Sequence, residues 1–283
     1  MLPAIHIKKT IDFNKNFKAL LEVLKLVAVS EYHRLEKSLR TFEPLKEVVK
    51  EFFNSIDLEQ IDHPFLNKGD KPVCILAVTS DTGLLGGINN QVITKAVDLL
   101  HQPDGRLVVI GERGVGYAQG YGIPCIYYPG IVDQQRFPQS QEIRDFIIRQ
   151  VMAGEYGGLK VVYPRAHSFV IHRVEVETLL PFSLSGESKS EMKGDILKEV
   201  IFESTPAEVA EYIVHIVLGQ RLYEIFGMSR VCEQAARYLH LEESCNKIGE
   251  MNKKLYLQYF RRRHEVIDAN MRELFASRLT HVE

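Results

Sequence analysis

The first part of the chain, from about Thr10 to Ile56, has the apolar spacing of a long helix with one apolar face. Its apolar residues recur at steps of three, four or seven, whereas a strand would alternate at every second residue. These residues are Phe17, Leu21, Leu24, Ala28, Leu35, Leu39, Phe42, Val49 and Phe52. Pro44 removes one helical hydrogen bond and disfavours helical geometry at Glu43, so we expect a kink or a restart there.

The middle part, from about Lys71 to Glu203, changes to short apolar runs separated by helical patterns. Runs this short between turn signals are typical of strands buried on both faces of a sheet. The runs are Val73 to Val78, Leu107 to Ile110, Cys125 to Tyr128 and Leu159 to Tyr163, and the helical patterns are Asn89 to Leu100, Gly114 to Gly120 and Gln141 to Met152. This alternation predicts a mostly parallel sheet covered by helices. The alternating stretch Phe169 to Leu180 predicts an added edge strand, and Ser183 to Lys193 predicts a polar loop.

The last part begins with a strong helix start signal. Thr205 is placed to cap the helix, Pro206 occupies the first helical position, and Glu208 completes a capping box. From there to about Leu279 there is no proline, and apolar residues recur at helical steps. The pattern predicts roughly 70 residues of helix, about 100 Å long, with a break near Gly227.

Two terminal helices of this length require either a partner helix along the apolar face or a sleeve supplied by other proteins. The simplest fold is of the α/β class. The N- and C-terminal helices form an antiparallel coiled coil, and a Rossmann-like, mostly parallel α/β domain is inserted between them in the sequence. The predicted domains are residues 1–60, 71–203 and 205–283. Glu22, Lys247 and Asn252 fall among the apolar positions, which indicates that part of the helical surface contacts something besides the partner helix.

Composition excludes several classes of protein. The 35 Lys and Arg against 37 Asp and Glu give a net charge of −2, which argues against a nucleic-acid-binding sleeve. No apolar run is long enough to span a bilayer, and the start of the chain lacks a signal-peptide core, so we expect a cytosolic protein without a transmembrane segment. The 4 cysteines form no Cys-x-x-Cys pair and the histidines no His-Glu-x-x-His, so no metal site is expected.

Two glycine-rich segments follow predicted strands, where α/β proteins often bind phosphate on helix N-terminal amides. Thr79 to Gly87 lacks the lysine of a P-loop, and neither it nor Gly111 to Gly116 has dinucleotide-binding spacing. Gly83, Gly86 and Gly87 are therefore predicted to form a structural turn, and no cofactor is expected.

No arrangement predicts a catalytic residue, since Ser80 and Asp81 have no histidine nearby and there is no Gly-x-Ser-x-Gly. Two alternatives remain open. One is a nucleotide-binding α/β enzyme with helical extensions, which would bind nucleotide and lose that binding on substitution of Gly86 or Gly87. The other is a coiled-coil adaptor.

The long C-terminal helix carries a basic stretch, Arg261 to His264, with Lys253 and Lys254 two turns earlier. Such a stretch is either a solvated helix face or a contact with carboxylates of a partner, for which the arginine fork is suited.

Several segments, in order along nearly the whole chain, resemble the gamma subunit, or central rotor stalk, of F-type ATP synthases. They include Leu-Lys-Leu-Val-Ala-Val-Ser at residues 24–30 and the glycine-rich segment from Val78 to Asn89. They also include Glu-Gln-Ala-Ala-Arg at residues 233–237, Leu-Tyr-Leu-Gln-Tyr at residues 255–259 followed by Arg263, and Leu-Leu-Pro at residues 179–181. Departures such as Thr82, where the family has arginine, and His264, where it has glutamine, indicate a divergent branch.

The resemblance implies a rotary shaft that is not itself an enzyme. It would couple proton or sodium flow through the membrane sector to ATP synthesis or hydrolysis in the alpha and beta subunits, and would contact the epsilon subunit and the membrane c-ring. It implies a peripheral location on the cytoplasmic side of the cell membrane. The residues expected to contact the alpha/beta hexamer are Lys25, Ser30, Tyr259, Arg261, Arg262, Arg263 and His264.

Overall fold

A computed structural model describes residues 4–39, 63–66, 71–100, 105–181 and 205–280 of the 283-residue chain. The expected kink at Pro44, the rest of the first helix to Ile56 and the polar loop from Ser183 to Lys193 lie outside the described residues. None of the described helices is long and apolar enough to cross a membrane.

The described elements follow the predicted order of helix, α/β segment and helix. They are α1 (Ala4–Ser38), β1 (Val73–Val78), α2 (Ile88–Leu99), β2 (Arg106–Ile110), α3 (Glu112–Gly120), β3 (Cys125–Tyr128), a 3-10 turn (Asp133–Gln135), α4 (Arg136–Met152), β4 (Gly158–Ala166), β5 (His172–Leu180) and α5 (Pro206–Thr280). Each short apolar run is a strand, and the alternating stretch contains the edge strand β5. The predicted fold class is confirmed.

The five strands form one sheet in the order β3-β2-β1-β4-β5. All neighbouring pairs are parallel except β4 and β5, which are antiparallel. Both faces are covered: Ile75 and Ala77 of β1 pack against α2 and α3, whereas Leu76 packs against α4 and α5. This alternation is the period of two that a strand buried on both faces requires.

The chain divides into two compact units. We call Met1–Ser30 with Arg237–Glu283 the helical unit, and Glu31–Ala236 the α/β unit. Both boundaries fall within helices, so α1 and α5 contribute residues to each unit. The domain limits expected from the sequence, 1–60, 71–203 and 205–283, stay predictions.

In the helical unit, α1 and α5 pair in opposite directions. The Nδ2 of Asn14 donates a hydrogen bond to Oδ1 of Asn252 at 3.0 Å, and Leu21 packs against Leu241 and Cys245. Partner numbers on α5 fall as those on α1 rise, which identifies an antiparallel pair. The buried α1 positions of this unit follow a heptad pattern and are Ile7, Ile11, Asn14, Leu21 and Ala28.

The predicted apolar face of α1 is partly wrong. The predicted face includes Phe17, but this residue is 41% exposed, because it lies about a quarter turn from the buried heptad positions. It belongs to a second, exposed apolar stripe that we call the outer stripe, formed by Phe13, Phe17, Leu20 and Val27. Of the polar residues expected in the seam, Asn252 is buried there, whereas Lys247 is 71% exposed and Glu22 also faces solvent.

The helix α5 is continuous over 75 residues, so the break expected near Gly227 is wrong. A Cβ atom at Gly227 would lie 2.8 Å from Leu39 Cδ2 and 2.8 Å from an Arg136 guanidinium nitrogen. Glycine at this position therefore permits Leu39 and Arg136 to pack closely against α5. The capping box is confirmed: the Thr205 N–H donates to Glu208 Oε2 at 3.1 Å, and the Glu208 N–H donates to Thr205 Oγ1 at 3.3 Å.

We expect Asn252→Ala to lower the free energy of unfolding by about 1–3 kcal/mol, because it leaves the buried Asn14 amide without its partner. Urea unfolding of the full chain followed by circular dichroism measures this change. The matched control is Asn270→Ala on the same helix, where the side chain is exposed. Equal stability of the two variants would contradict a structural role for the buried pair.

Candidate functional site

The glycine turn, Thr79 to Gly87, connects β1 to α2 and is closed by its own hydrogen bonds. Ser80 Oγ donates to the Thr82 carbonyl at 2.9 Å and accepts from Asn89 Nδ2 at 2.9 Å. Thr79 Oγ1 donates to the Ile110 carbonyl at 2.5 Å. These polar groups are therefore already satisfied by the protein itself.

A carboxylate occupies the position at the start of α3 where an α/β protein would bind phosphate. Asp81 Oδ1 accepts the backbone N–H of Glu112 at 2.8 Å, and both its carboxylate oxygens accept the N–H of Gly130, at 3.0 and 3.1 Å. A nucleotide phosphate at this helix terminus would be repelled by the charge of Asp81. The geometry therefore favours a structural turn over the nucleotide-binding alternative.

The glycines of the turn have different roles. Gly86 has φ of 64°, a left-handed conformation that favours glycine, whereas Gly87 has φ of −113° and open space around an added Cβ. At Gly83 an added Cβ would make ordinary contact with Arg113, at 3.7 Å. Only Gly86 is required by backbone geometry at these three positions.

Of the two predicted contact residues on α1, Lys25 is engaged within the helical unit. Its ammonium forms ion pairs with Glu22 at 3.2 Å and with Glu242 of α5, and its side chain is only 13% exposed. The hydrogen bond to Glu242, supplemented by Glu22, raises the pKa of Lys25 above its ordinary value. Lys25 therefore links the two helices, while Ser30 lies exposed on α1.

The predicted contact residues on α5 lie close together on an exposed part of that helix. Arg262 donates to Glu265 at 2.6 Å, and His264 Nδ1 lies 2.7 Å from the Phe260 carbonyl oxygen. Arg261 and Arg263 are exposed and form no ion pair within the described part of the chain. Tyr259 is half-buried and its ring lies 5.6 Å from that of Phe260. Two guanidinium groups are therefore available to an external carboxylate.

Beyond these residues, α5 has no α1 residue opposite it in the described chain. Because Asn14 pairs with Asn252, the start of α1 at Ala4 corresponds to the neighbourhood of Arg262. The apolar residues exposed on this part of α5 and just before it are Leu257, Phe260, Val266, Ile267, Met271, Leu274 and Phe275. An exposed apolar surface of this extent is typical of a protein–protein contact.

The cysteines and histidines provide no metal centre in the ranges that the structure describes, where no three metal-ligating side chains converge. All 4 cysteines are free, and Cys74, Cys232 and Cys245 are buried. Burial raises the pKa of the Cys74 thiol to about 12, so it stays protonated at neutral pH. These three cysteines are core residues, whereas Cys125 is partly exposed.

Sequence reasoning missed two features. The outer stripe on α1 could have been found by testing both possible heptad frames. The role of Asp133, which lies 19% exposed between Arg34 and Arg230, has no local signal, because its partners lie 99 and 97 residues away.

Comparison with known proteins finds relatives that match nearly the whole chain. A family model described as ATP synthase matches residues 4–278. The ATP synthase gamma chain of Desulforudis audaxviator is 25% identical over 287 residues, covering 96% of this chain and 97% of that protein. The gamma chain of Clostridium kluyveri is 26% identical over 279 residues, covering 95% of each.

Two solved structures share the fold. One is from Euglena gracilis mitochondrial ATP synthase, described as OSCP/F1/c-ring in rotational state 3, with a TM-score of 0.72, 13% identity and coverage of 98% of this chain and 94% of that one. The other is from the central stalk and c-ring of Tetrahymena thermophila mitochondrial ATP synthase, with a TM-score of 0.61, 19% identity and coverage of 80% and 99%.

We expect Gly86→Ala to destabilise the protein by about 1 kcal/mol, because alanine is strained at a positive φ. Gly116→Ala, inside α3, is the control and should not lower stability, since the added Cβ meets nothing and alanine favours the helix. Thermal unfolding of the full chain measures both. A loss of stability at Gly116 equal to that at Gly86 would contradict this assignment.

Proposed function

The chain belongs to the ATP synthase family, as a gamma chain of the central stalk, and from this premise we propose how its surface performs the work of a rotary shaft. The subunit is not catalytic by itself. Its function is mechanical: it links the membrane sector, through which ions flow, to the alpha and beta subunits that synthesise or hydrolyse ATP.

The observation that carries the proposal is the exposed apolar surface of the helical unit. Leu257, which is 64% exposed, and Phe275 lie on α5, while the outer stripe lies on α1. Burying about 1,000 Å² of such surface stabilises an assembly by tens of kcal/mol before entropic terms are subtracted. A ring of alpha and beta subunits around the helical unit would supply the cover that these side chains lack within the described chain.

Rotation of such a shaft changes nucleotide affinity through differential contacts. The surface of the helical unit differs around its axis: the outer stripe lies on one part of α1, while acidic and basic side chains lie elsewhere. A site that faces the apolar stripe has different contacts from one that faces the charged residues. Turning the shaft therefore biases each beta subunit in succession toward a different conformation.

The basic residues of α5 are suited to the polar part of this contact. Arg261 and Arg263 present forked guanidinium groups without an internal ion pair in the described chain, and acidic loops of beta would accept them. Arg262, His264 and Tyr259 flank them on the same helix. Lys25 and Ser30 of α1 are proposed to contact the hexamer as well, with Lys25 acting mainly by holding Glu242 of the partner helix.

We also propose that the α/β unit contacts the epsilon subunit and the membrane c-ring. The complex would lie on the cytoplasmic side of the cell membrane, peripheral to the bilayer. The coupling ion, proton or sodium, is determined by residues of the c-ring.

Coexpressed with its own alpha and beta subunits, the chain should copurify at one copy for three alpha and three beta subunits. Native mass spectrometry of the purified complex measures the stoichiometry. The exposed apolar residues are the physical reason, since they are covered only in the assembly. A chain that stays monomeric with alpha and beta present would refute the proposal.

In the purified assembly, Arg261→Ala combined with Arg263→Ala should lower the steady-state rate of ATP hydrolysis by about fivefold or more, because charge-assisted contacts with the hexamer are lost. The control is Arg173→Ala, which removes an exposed arginine from β5. Rates indistinguishable from the control would show that the basic stretch is only a solvated helix face.

A further inference from the structure

The helix α5 carries the pattern Arg-x-x-Glu twice within the α/β unit, at Arg221 with Glu224 and at Arg230 with Glu233. The two arginines are nine residues apart, which is two and a half turns, so they point to opposite sides of the helix. Each arginine pairs with the glutamate on its own helix and also reaches a carboxylate on another element of the unit.

The first contact joins α5 to the edge strand β5. Arg221 donates from Nε and Nη2 to the two carboxylate oxygens of Glu177, at 2.6 and 2.7 Å, and from Nη1 to Glu224 at 2.5 Å. Glu177 also accepts the hydroxyl of Tyr163 at 3.1 Å. The two parallel bonds to Glu177 fix the orientation of the guanidinium plane as well as its distance.

The second contact joins α5 to the 3-10 turn that follows β3, at the other edge of the sheet. Arg230 Nε donates to Asp133 Oδ1 at 3.0 Å, and Arg230 also pairs with Glu233. Asp133 Oδ2 accepts from Arg34 of α1 at 2.9 Å, and Glu233 accepts from Thr82 of the glycine turn at 2.9 Å. This contact therefore includes both helices and the turn.

The lowered pKa of Asp133 favours a persistent contact between Arg230 and Asp133. Partial burial would raise the pKa of Asp133, but the hydrogen bonds and charges of Arg230 and Arg34 outweigh that effect and lower it. Asp133 is therefore ionised throughout the neutral range. Its two oxygens face guanidinium groups from two different helices.

Between the two charged contacts, α5 packs on the sheet through apolar side chains such as Leu222, Ile225 and Phe226. Apolar contacts supply stability but little direction, whereas charge-assisted hydrogen bonds require a defined geometry. Close apolar packing itself opposes rotation of a helix, and the two charged contacts add a directional constraint to it. A helix held at opposite sides by two forked arginines cannot turn without breaking one of them.

We propose that the Arg221–Glu177 and Arg230–Asp133 contacts are a two-sided clamp that fixes the rotational position of α5 on the α/β unit and thereby transmits torque. The inference rests on the proposed shaft function and names the positioning residues that this function requires. Buried ion pairs often contribute little net stability compared with apolar packing, so conformational specificity is the property assigned to this clamp.

The test uses the complete ion-translocating complex, reconstituted in liposomes with a membrane-potential dye, and compares dye response with ATP hydrolysis in the same sample. The double variant Glu177→Gln/Asp133→Asn removes both external carboxylates while preserving side-chain size. We expect ATP hydrolysis to continue and the potential generated per ATP to fall by about threefold or more, because substitutions within a coupling network weaken the coupling by factors of this order.

The matched control is Asp145→Asn, which removes a carboxylate from an ion pair between neighbours on α4. General structural damage would lower hydrolysis together with pumping, so the ratio of the two is the measured quantity. A ratio in the double variant equal to that of Asp145→Asn overturns the clamp. The charge-conserving variant Glu177→Asp/Asp133→Glu should recover part of the ratio.

If the double variant fails to assemble, the single variants Glu177→Gln and Asp133→Asn provide the same comparison, each with a smaller expected fall. Ratios at the control value in both single variants would also overturn the clamp. Failure of the wild-type chain to join alpha and beta is a different result, which refutes the shaft function itself. The two failures are therefore distinguishable.

Discussion

The structure depends on the burial of one face of a helix that is 75 residues long. A helix of about 110 Å cannot be supported by a single small domain, and each part of α5 meets this constraint differently. Its first part packs on the sheet, its middle pairs with α1, and its last part has no α1 residue opposite it in the described chain. The same physical requirement therefore generates an internal core, a coiled coil and an external binding surface along one element.

The glycine turn shows how a fold commonly associated with nucleotides can serve a structural purpose. A strand, a glycine-rich turn and a helix occur in the order that phosphate-binding proteins use, yet Asp81 of the turn accepts the backbone N–H of Glu112 at the start of α3. The turn also provides Thr82, whose hydroxyl donates a hydrogen bond to Glu233 on α5. Fold alone would suggest an enzyme, whereas the side chains point to a connector.

Much of the fold could be predicted from the sequence because its signals are local. The capping box at Thr205 and the buried strand from Val73 to Val78 depend on neighbouring residues, and both are present. The buried face of α1 is less clearly specified by the sequence, since Phe17 and Leu21 are equally apolar. Surrounding subunits can cover one apolar stripe while α5 covers the other. Contacts such as Arg230 with Asp133 join distant residues, so no local pattern predicts them.

The pairing of Asn14 with Asn252 has a consequence for biosynthesis, because these residues are separated by 238 positions in the chain. At the usual speed of translation, about 5–20 residues per second, α1 leaves the ribosome roughly 10–50 s before its partner exists. Throughout that interval both apolar stripes of α1 are open to chaperones and to aggregation. Folding of the intervening α/β unit brings Leu35 beside Ala235 and so shortens the loop that the late-arriving helix must close.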